Sequence, residues 1–230
     1  MSGKHCPLSR LCELAKKILR PFEQCIPHLV SDTYDFLKKL PKSINGKVTL
    51  VAIDIVQLYP SIPNELGKKA LEFWFNKYPE KFIRNYNSDF TLKLIDFIQS
   101  NVYFKFNDET YKQVQGTAMG KDQAPPYANL TIAYLILNHL YPIIEKEKGI
   151  DAANHVKNAL LFFLDDGFIM LDESYISASE LLYYLNTMNE NIKFTMETSP
   201  EKIPFLDVLI MLLKNSQNEK NVPYQYRYLP

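Results

Sequence analysis

Apolar positions recur every three to four residues in LSRLCELAKKILRPF, where Leu8, Leu11, Leu14, Ala15, Ile18 and Leu19 share one helical stripe. The pattern predicts a helix that Pro21 closes. SDTYDFLKKL predicts a second short helix with Ser31 or Asp32 as its cap. KVTLVAIDIV is β-branched and mostly apolar, which predicts a strand, while NELGKKALEFWFNKY and TLKLIDFIQSN predict helices. VYFKF and TYKQV alternate around Asn107-Asp108-Glu109 as a hairpin. PPYANLTIAYLILNHLYPII is apolar on most faces and predicts one buried helix entered through Pro125-Pro126. SASELLYYLNTMN carries the capping-box spacing Ser177…Glu180, and IKFTME, PFLDVLIMLL and PYQYRY read as strands. Helices mixed with hairpins, without strand–helix alternation, predict an α+β fold in which helices cover one face of an antiparallel sheet.

Two acidic positions interrupt this pattern. LLFFLDDGFIML (160–171) sets Asp165 and Asp166 between two apolar runs, each fit to be a buried strand. One reading makes Asp166-Gly167 a turn that needs a residue tolerant of positive φ. The other makes the two carboxylates a metal-binding hairpin tip. Asp54 lies deep in VAIDIV, where a carboxylate is costly unless it is paired, hydrogen-bonded or bound to a cation. Carboxylates converging from two strands suit Mg²⁺ or Mn²⁺, hard ions that take oxygen ligands. The strand that carries Asp54 and the strands that meet at Asp165-Asp166 could therefore converge on one divalent ion. Separate cap or turn roles for each Asp remain the alternative.

Composition narrows the class without deciding it. The 230 residues are 47% hydrophobic and 23% charged, a globular balance with room for a substantial core. No apolar run reaches the length of a membrane span, the N-terminus lacks the apolar core of a signal peptide, and the cysteine usage makes a reducing, intracellular compartment the expectation. Cys6, Cys12 and Cys25 form no CxxC pair, which argues against a zinc site or a disulfide framework. Lys plus Arg and Asp plus Glu are 26 each. A neutral chain lacks the overall basic excess of many nucleic-acid binders, but a local acidic centre can offset a basic groove elsewhere.

Five segments in order carry a resemblance to a known family. IDIVQLYPSIP resembles motif A of reverse transcriptases, QGTAMGKDQAPPYANL motif B, FLDD motif C, and FTMETSPEKIPFLDVLI motifs D and E. The wording is most similar to the Penelope-like retroelement reverse transcriptases, over roughly residues 48–210. The resemblance implies a reverse-transcriptase palm, an antiparallel sheet packed on helices, and an RNA-directed DNA polymerase acting on an RNA template, a DNA primer and deoxynucleoside triphosphates. It divides the chain into a helical lead-in (1–47), the palm (48–214) and the start of a thumb connection (215–230). It makes Asp54, Asp165 and Asp166 the catalytic carboxylates and ligands of Mg²⁺ or Mn²⁺, with Asp54 and Asp165 on adjacent strands, close enough to share one ion, and Asp166 beside them. Tyr59 becomes the gate against a ribose 2′-hydroxyl. Gly116, Met119 and Gly120 form the approach to nucleotide and template, and Phe205, Leu206 and Asp207 the primer grip. Lys193 and Lys202 are the candidates for a general acid toward pyrophosphate.

The departures are local. Met119 precedes the second glycine of motif B, Ala124-Pro125 stands for the family's Ser-Pro, and Phe163 replaces the commoner Tyr of motif C. The resemblance covers only part of the fingers and no thumb, so template-directed extension is expected to be absent or barely detectable. Such an enzyme would work in the nucleus. A palm-fold module that binds nucleic acid or protein without catalysis is the rival expectation, and a nucleotidyl-cyclase-like palm fits motifs B and E poorly.

Overall fold

The computed structural model describes residues 8–41, 44–45, 47–213, 221–222 and 224–229. Along the chain come α1 (Ser9–Glu23), α2 (Thr33–Lys39), β1 (Ile44–Asn45), β2 (Val48–Val56), α3 (Leu58–Ser61), α4 (Asn64–Lys77) and α5 (Ser88–Ser100). Next are β3 (Tyr103–Phe106), β4 (Glu109–Lys112), α6 (Ala124–Leu135), a π-helical turn (Ile136–Leu140), α7 (Tyr141–Lys148) and α8 (Ile150–Ala159). Then follow β5 (Leu161–Phe163), β6 (Asp166–Asp172), α9 (Ala178–Thr187) and β7 (Lys193–Ser199). The last strands are β8 (Lys202–Phe205), β9 (Val208–Leu212), β10 (Asn221–Val222) and β11 (Tyr224–Tyr228). Packing divides the chain into two compact units: residues up to Pro27 with Gln57–Leu135, and His28–Val56 with the residues from Ile136 onward.

The first unit is mostly helical. The apolar stripe of α1 buries Cys12, Ala15, Ile18, Leu19 and Phe22. Pro21 does not end this helix as expected but sits inside its last turn. A proline there removes one intrahelical donor, yet the ladder resumes with Gln24 N–H donating to the Arg20 carbonyl at 3.2 Å. Helices α4 and α6 approach closely because Gly67 leaves space: a Cβ at that position would lie 1.8 Å from the Tyr127 hydroxyl oxygen. Trp74 Nε1–H donates to the Leu130 carbonyl at 2.9 Å across the same contact. In the β3–β4 hairpin the turn is Asn107-Asp108 alone, both at positive φ (49° and 63°), and Glu109 already pairs with Phe106. Asn and Asp tolerate this conformation, the type I′ signature of two-residue hairpins.

The long apolar run predicted as one helix is subdivided. The regular α6 ends at Leu135, and the wider Ile136–Leu140 turn leads into α7, whose second residue is Pro142. A proline cannot donate to the preceding turn, and a π-helical segment accommodates the loss.

The second unit holds a four-stranded antiparallel sheet of order β5-β6-β2-β7. Helices α8 and α9 pack against β6 and β7. A second antiparallel sheet, β8-β9-β11, begins with a hairpin: the apolar run PFLDVLIMLL is broken by a turn at Leu206 and Asp207, the residues that the resemblance sets on a hairpin. Leu50, Phe168 and Met170 of the larger sheet share a buried cluster with Ile203, Phe205, Val208 and Ile210. Within it the rings of Phe36, Phe168 and Phe205 form a triangle with centroids 4.7–5.3 Å apart. Capping is as the sequence indicates: Asp32 accepts from Asp35 N–H, and Ser177 and Glu180 form a complete capping box. The fold is α+β, with antiparallel sheets packed on helices. Among the described residues, no helix is long and apolar enough to cross a membrane.

Candidate active site

Alternation along β2 sets Leu50, Ala52, Asp54 and Val56 on one face of the sheet. The core cluster covers the Leu50 end, and the Asp54 end is exposed. Register places Asp54 directly opposite Asp166 on β6 and opposite Thr195 on β7. Residues directly opposite in an antiparallel pair have Cβ atoms about 4.5–5.5 Å apart, so the two carboxylates are immediate neighbours.

The hairpin turns one residue pair earlier than Asp166-Gly167. Phe163 pairs with Asp166, and the turn is Leu164-Asp165, with Leu164 at φ +54°. Asp166 is thus the strand residue opposite Asp54. Asp165, expected on a strand beside Asp54, instead sits at the tip, where its carbonyl accepts from Ile55 N–H at 3.1 Å. Gly167 is not a turn glycine but a buried strand residue. A Cβ there would fall 2.7 Å from the Phe162 ring and 3.1 Å from the Ile53 Cβ. A leucine in the left-handed region is strained, and such strain is commonly found at functional sites. Leu206, at the tip of the β8–β9 hairpin, has the same feature at φ +50°.

Beside the Leu206 tip the sheet face opens into a cavity of about 450 Å³, whose lining includes Asp54, Asp166, Thr195, Glu197 and Leu206. Thr195 and Glu197 were missed as site residues. Their signal was alternation along FTMET, which sets both on the Asp54 face. Burial, then the charges of Asp165 and Asp54, raise the Asp166 carboxyl above its ordinary value. A cation would relieve this crowding, and an all-oxygen donor set has the hardness that Mg²⁺ or Mn²⁺ prefers. Among the described residues, no three His, Cys, Asp or Glu side chains are gathered closely enough to hold an ion by themselves. Mg²⁺ commonly takes only one or two carboxylates, completing its shell with water and substrate phosphates, so the donor set fits.

The other residues of this unit separate by placement. Lys193 pairs with Val56 on the carboxylate face, a diagonal neighbour of Asp54, whereas Lys202 opens β8 opposite Met211. Phe205 is a core side chain of the aromatic triangle. Asp207 accepts from the Thr33 hydroxyl at 2.6 Å, and its carbonyl accepts from Leu229 N–H. Those two anchor the hairpin, and Leu206 is left half-buried against the cavity.

The first unit holds Tyr59, Gly116, Met119 and Gly120. Gln57, at φ +49°, starts the short helix α3, which carries Tyr59. Thr117 N–H donates to the Tyr59 carbonyl at 2.9 Å. Gly116, at φ +80°, lies so near Pro60 that a Cβ would meet its backbone at 2.6 Å. Gly120 has a similar φ of +78° in open space, and Met119 is 71% exposed. The loop is also tied by Lys16 to Asp122 at 3.4 Å. Thr117 Oγ1 and Gln123 Oε1 are buried without a hydrogen-bond partner among the described residues, a condition native proteins rarely tolerate.

No protein-family model and no curated protein matches the chain. Solved structures do. Apo telomerase from Candida tropicalis, truncated from its C-terminal domain, is similar at 12% identity with a TM-score of 0.58, over 89% of this chain and 43% of that one. Telomerase from Candida albicans, complexed with a TWJ fragment of telomeric RNA, gives 13% and 0.60, over 89% and 36%. The BmCPV RNA-dependent RNA polymerase in its quiescent state gives 12% and 0.60, over 87% and 19%. This chain therefore has a polymerase-like fold and spans less than half the length of each of these proteins.

Proposed function

We propose that this chain is the palm region of a Penelope-like reverse transcriptase and catalyses two-metal nucleotidyl transfer. The observation that carries the reading is the register of Asp54 opposite Asp166, with Asp165 on the adjoining turn. Divalent ions at such carboxylates supply charge neutralisation and activation of the attacking oxygen. The chain's own part is to hold Asp54 and Asp166 on a rigid sheet and to keep their face open. Lys193 shares that face and is the better candidate than Lys202 for donating a proton to the leaving pyrophosphate. Tyr59 is proposed as the sugar gate, its backbone held through Thr117. RNA bound to the Candida albicans telomerase supports a nucleic-acid template as partner.

The rival reading, a palm-fold binding module without catalysis, draws on the lack of a three-ligand cluster among the described residues. Primer extension on an RNA template with Mn²⁺ separates the two. Detectable deoxynucleotide addition, abolished by Asp54→Asn, supports the enzyme. Template binding without any Asp54-dependent addition supports the module.

A further inference from the structure

The first unit contains a small basic cleft remote in sequence from every motif named above. A cavity of about 190 Å³ is walled by one stripe of α1, with Arg10, Glu13 and Lys17, and by the segment carrying Arg84 and Tyr86. Leu14 and Ile83 supply its apolar floor. Glu13 is engaged by Lys17 at 2.7 Å. Arg10 and Arg84 have no ion pair or hydrogen bond among the described residues, so two guanidinium groups remain available. This is a marked local excess in a chain of formal net charge zero.

Arg84 stands at φ +54°, in a region where Gly or Asn would be at ease and an arginine is strained. The backbone thus gives no reason for an arginine here, and the open side of the cleft does. Tyr86 is braced by stacking on Phe90, with centroids 5.2 Å apart, which gives the cleft a fixed phenolic wall. At its other end, α1 has no acidic residue in its first turn and no side-chain cap on Leu8, so the positive end of the helix adds to Arg10 rather than being neutralised.

From this geometry we infer that the Arg10–Arg84 cleft binds a phosphate group of a nucleic-acid strand. Paired guanidinium forks match phosphate oxygens in a way that ammonium groups do not. The volume decides the size of ligand: ordinary small-molecule pockets run about 300–1,000 Å³, so this cleft accepts a single group of a longer chain rather than a whole nucleotide. The inference extends the polymerase reading by giving the first unit a strand contact, but it stands on that unit alone.

The test is fluorescence anisotropy of a short labelled single-stranded oligonucleotide with the full chain, without divalent ions or nucleotides, so its outcome is independent of the carboxylate chemistry. Arg84→Gly suits the local φ and keeps the fold, and thermal melting verifies this. Arg10→Ala and Arg84→Gly are each expected to weaken binding roughly tenfold. Each should also flatten the slope of log affinity against log salt, and the double variant by about 0.7, the single-strand value for one phosphate contact. Arg84→Lys should restore the slope but only part of the affinity. Pyrophosphate is the competing arm. Arginine-dependent competition supports the phosphate site with a free phosphate chain as its source, and failure to compete supports the strand backbone. Wild-type affinity and slope for both probes in both variants would overturn the inference.

Discussion

Asp54 and Asp166 face each other directly across β2 and β6, like charges at a position where opposite charges or apolar groups would stabilise the sheet. Burial and the neighbouring carboxylates raise the folded-state pKa of Asp166 above its ordinary 3.8. The folded state therefore holds that proton more tightly than the unfolded state, and stability falls as pH rises from 3.8 through the raised value. Asp166→Asn is expected to stabilise the metal-free protein modestly, by about 0.2–1 kcal/mol near neutral pH, with a smaller gain in acid. Urea denaturation of both proteins across that range checks this; a variant less stable than wild type at neutral pH would contradict it.

His28 has the opposite slope. Burial, assisted by the Lys39 charge, lowers its pKa from 6.5 to about 4, and its Nδ1 has no hydrogen-bond partner among the described residues. The unfolded state takes up the proton first, so stability is complete above pH 6.5 and is lost as pH falls toward 4. The loss is on the order of 3 kcal/mol. His28→Leu, facing the rings of Tyr141 and Phe162, should remove most of that dependence. Thermal melts between these pH values read the effect.

Gly116 and Gly120 share a left-handed backbone but not their surroundings. Gly120→Ala meets only the conformational penalty, about 1–2 kcal/mol. Gly116→Ala adds a contact with the Pro60 backbone at 2.6 Å that no rotamer relieves, and should cost roughly 3 kcal/mol or more. Equal losses in chemical denaturation would mean that the Pro60 contact relaxes freely.

What was legible in the sequence was local. The cap at Ser177, the cap at Ser31 or Asp32 that the structure assigns to Asp32, and the strand around Asp54 were readable because a few adjacent residues determine each. The turn at Leu164-Asp165 was not, since Asp-Gly is the stronger turn signal by composition. Gly167 is instead required by Phe162 on the neighbouring strand, a contact that pattern cannot reveal. With the turn at Leu164-Asp165, Asp166 opens β6 and faces Asp54, while Asp165 stays on the turn. Helix α8 went unread because Ala152, Ala153 and Ala159 make a faint apolar stripe, yet they bury well. Phe205 was legible as an apolar strand residue, but its place in the aromatic triangle depends on Phe36 and Phe168, far away in the chain.

A divalent ion held by the Asp54–Asp166 face for nucleotidyl transfer is directly observable. Its most direct measurement is an anomalous-difference map from crystals grown with Mn²⁺ and a non-hydrolysable deoxynucleoside triphosphate. The expected result is a peak about 2.1 Å from carboxylate oxygens of Asp54 and of Asp165 or Asp166, with triphosphate oxygens completing the shell, and its loss in Asp54→Asn. A map with Mn²⁺ bound elsewhere, or with the triphosphate bound and no ion on this face, would contradict it.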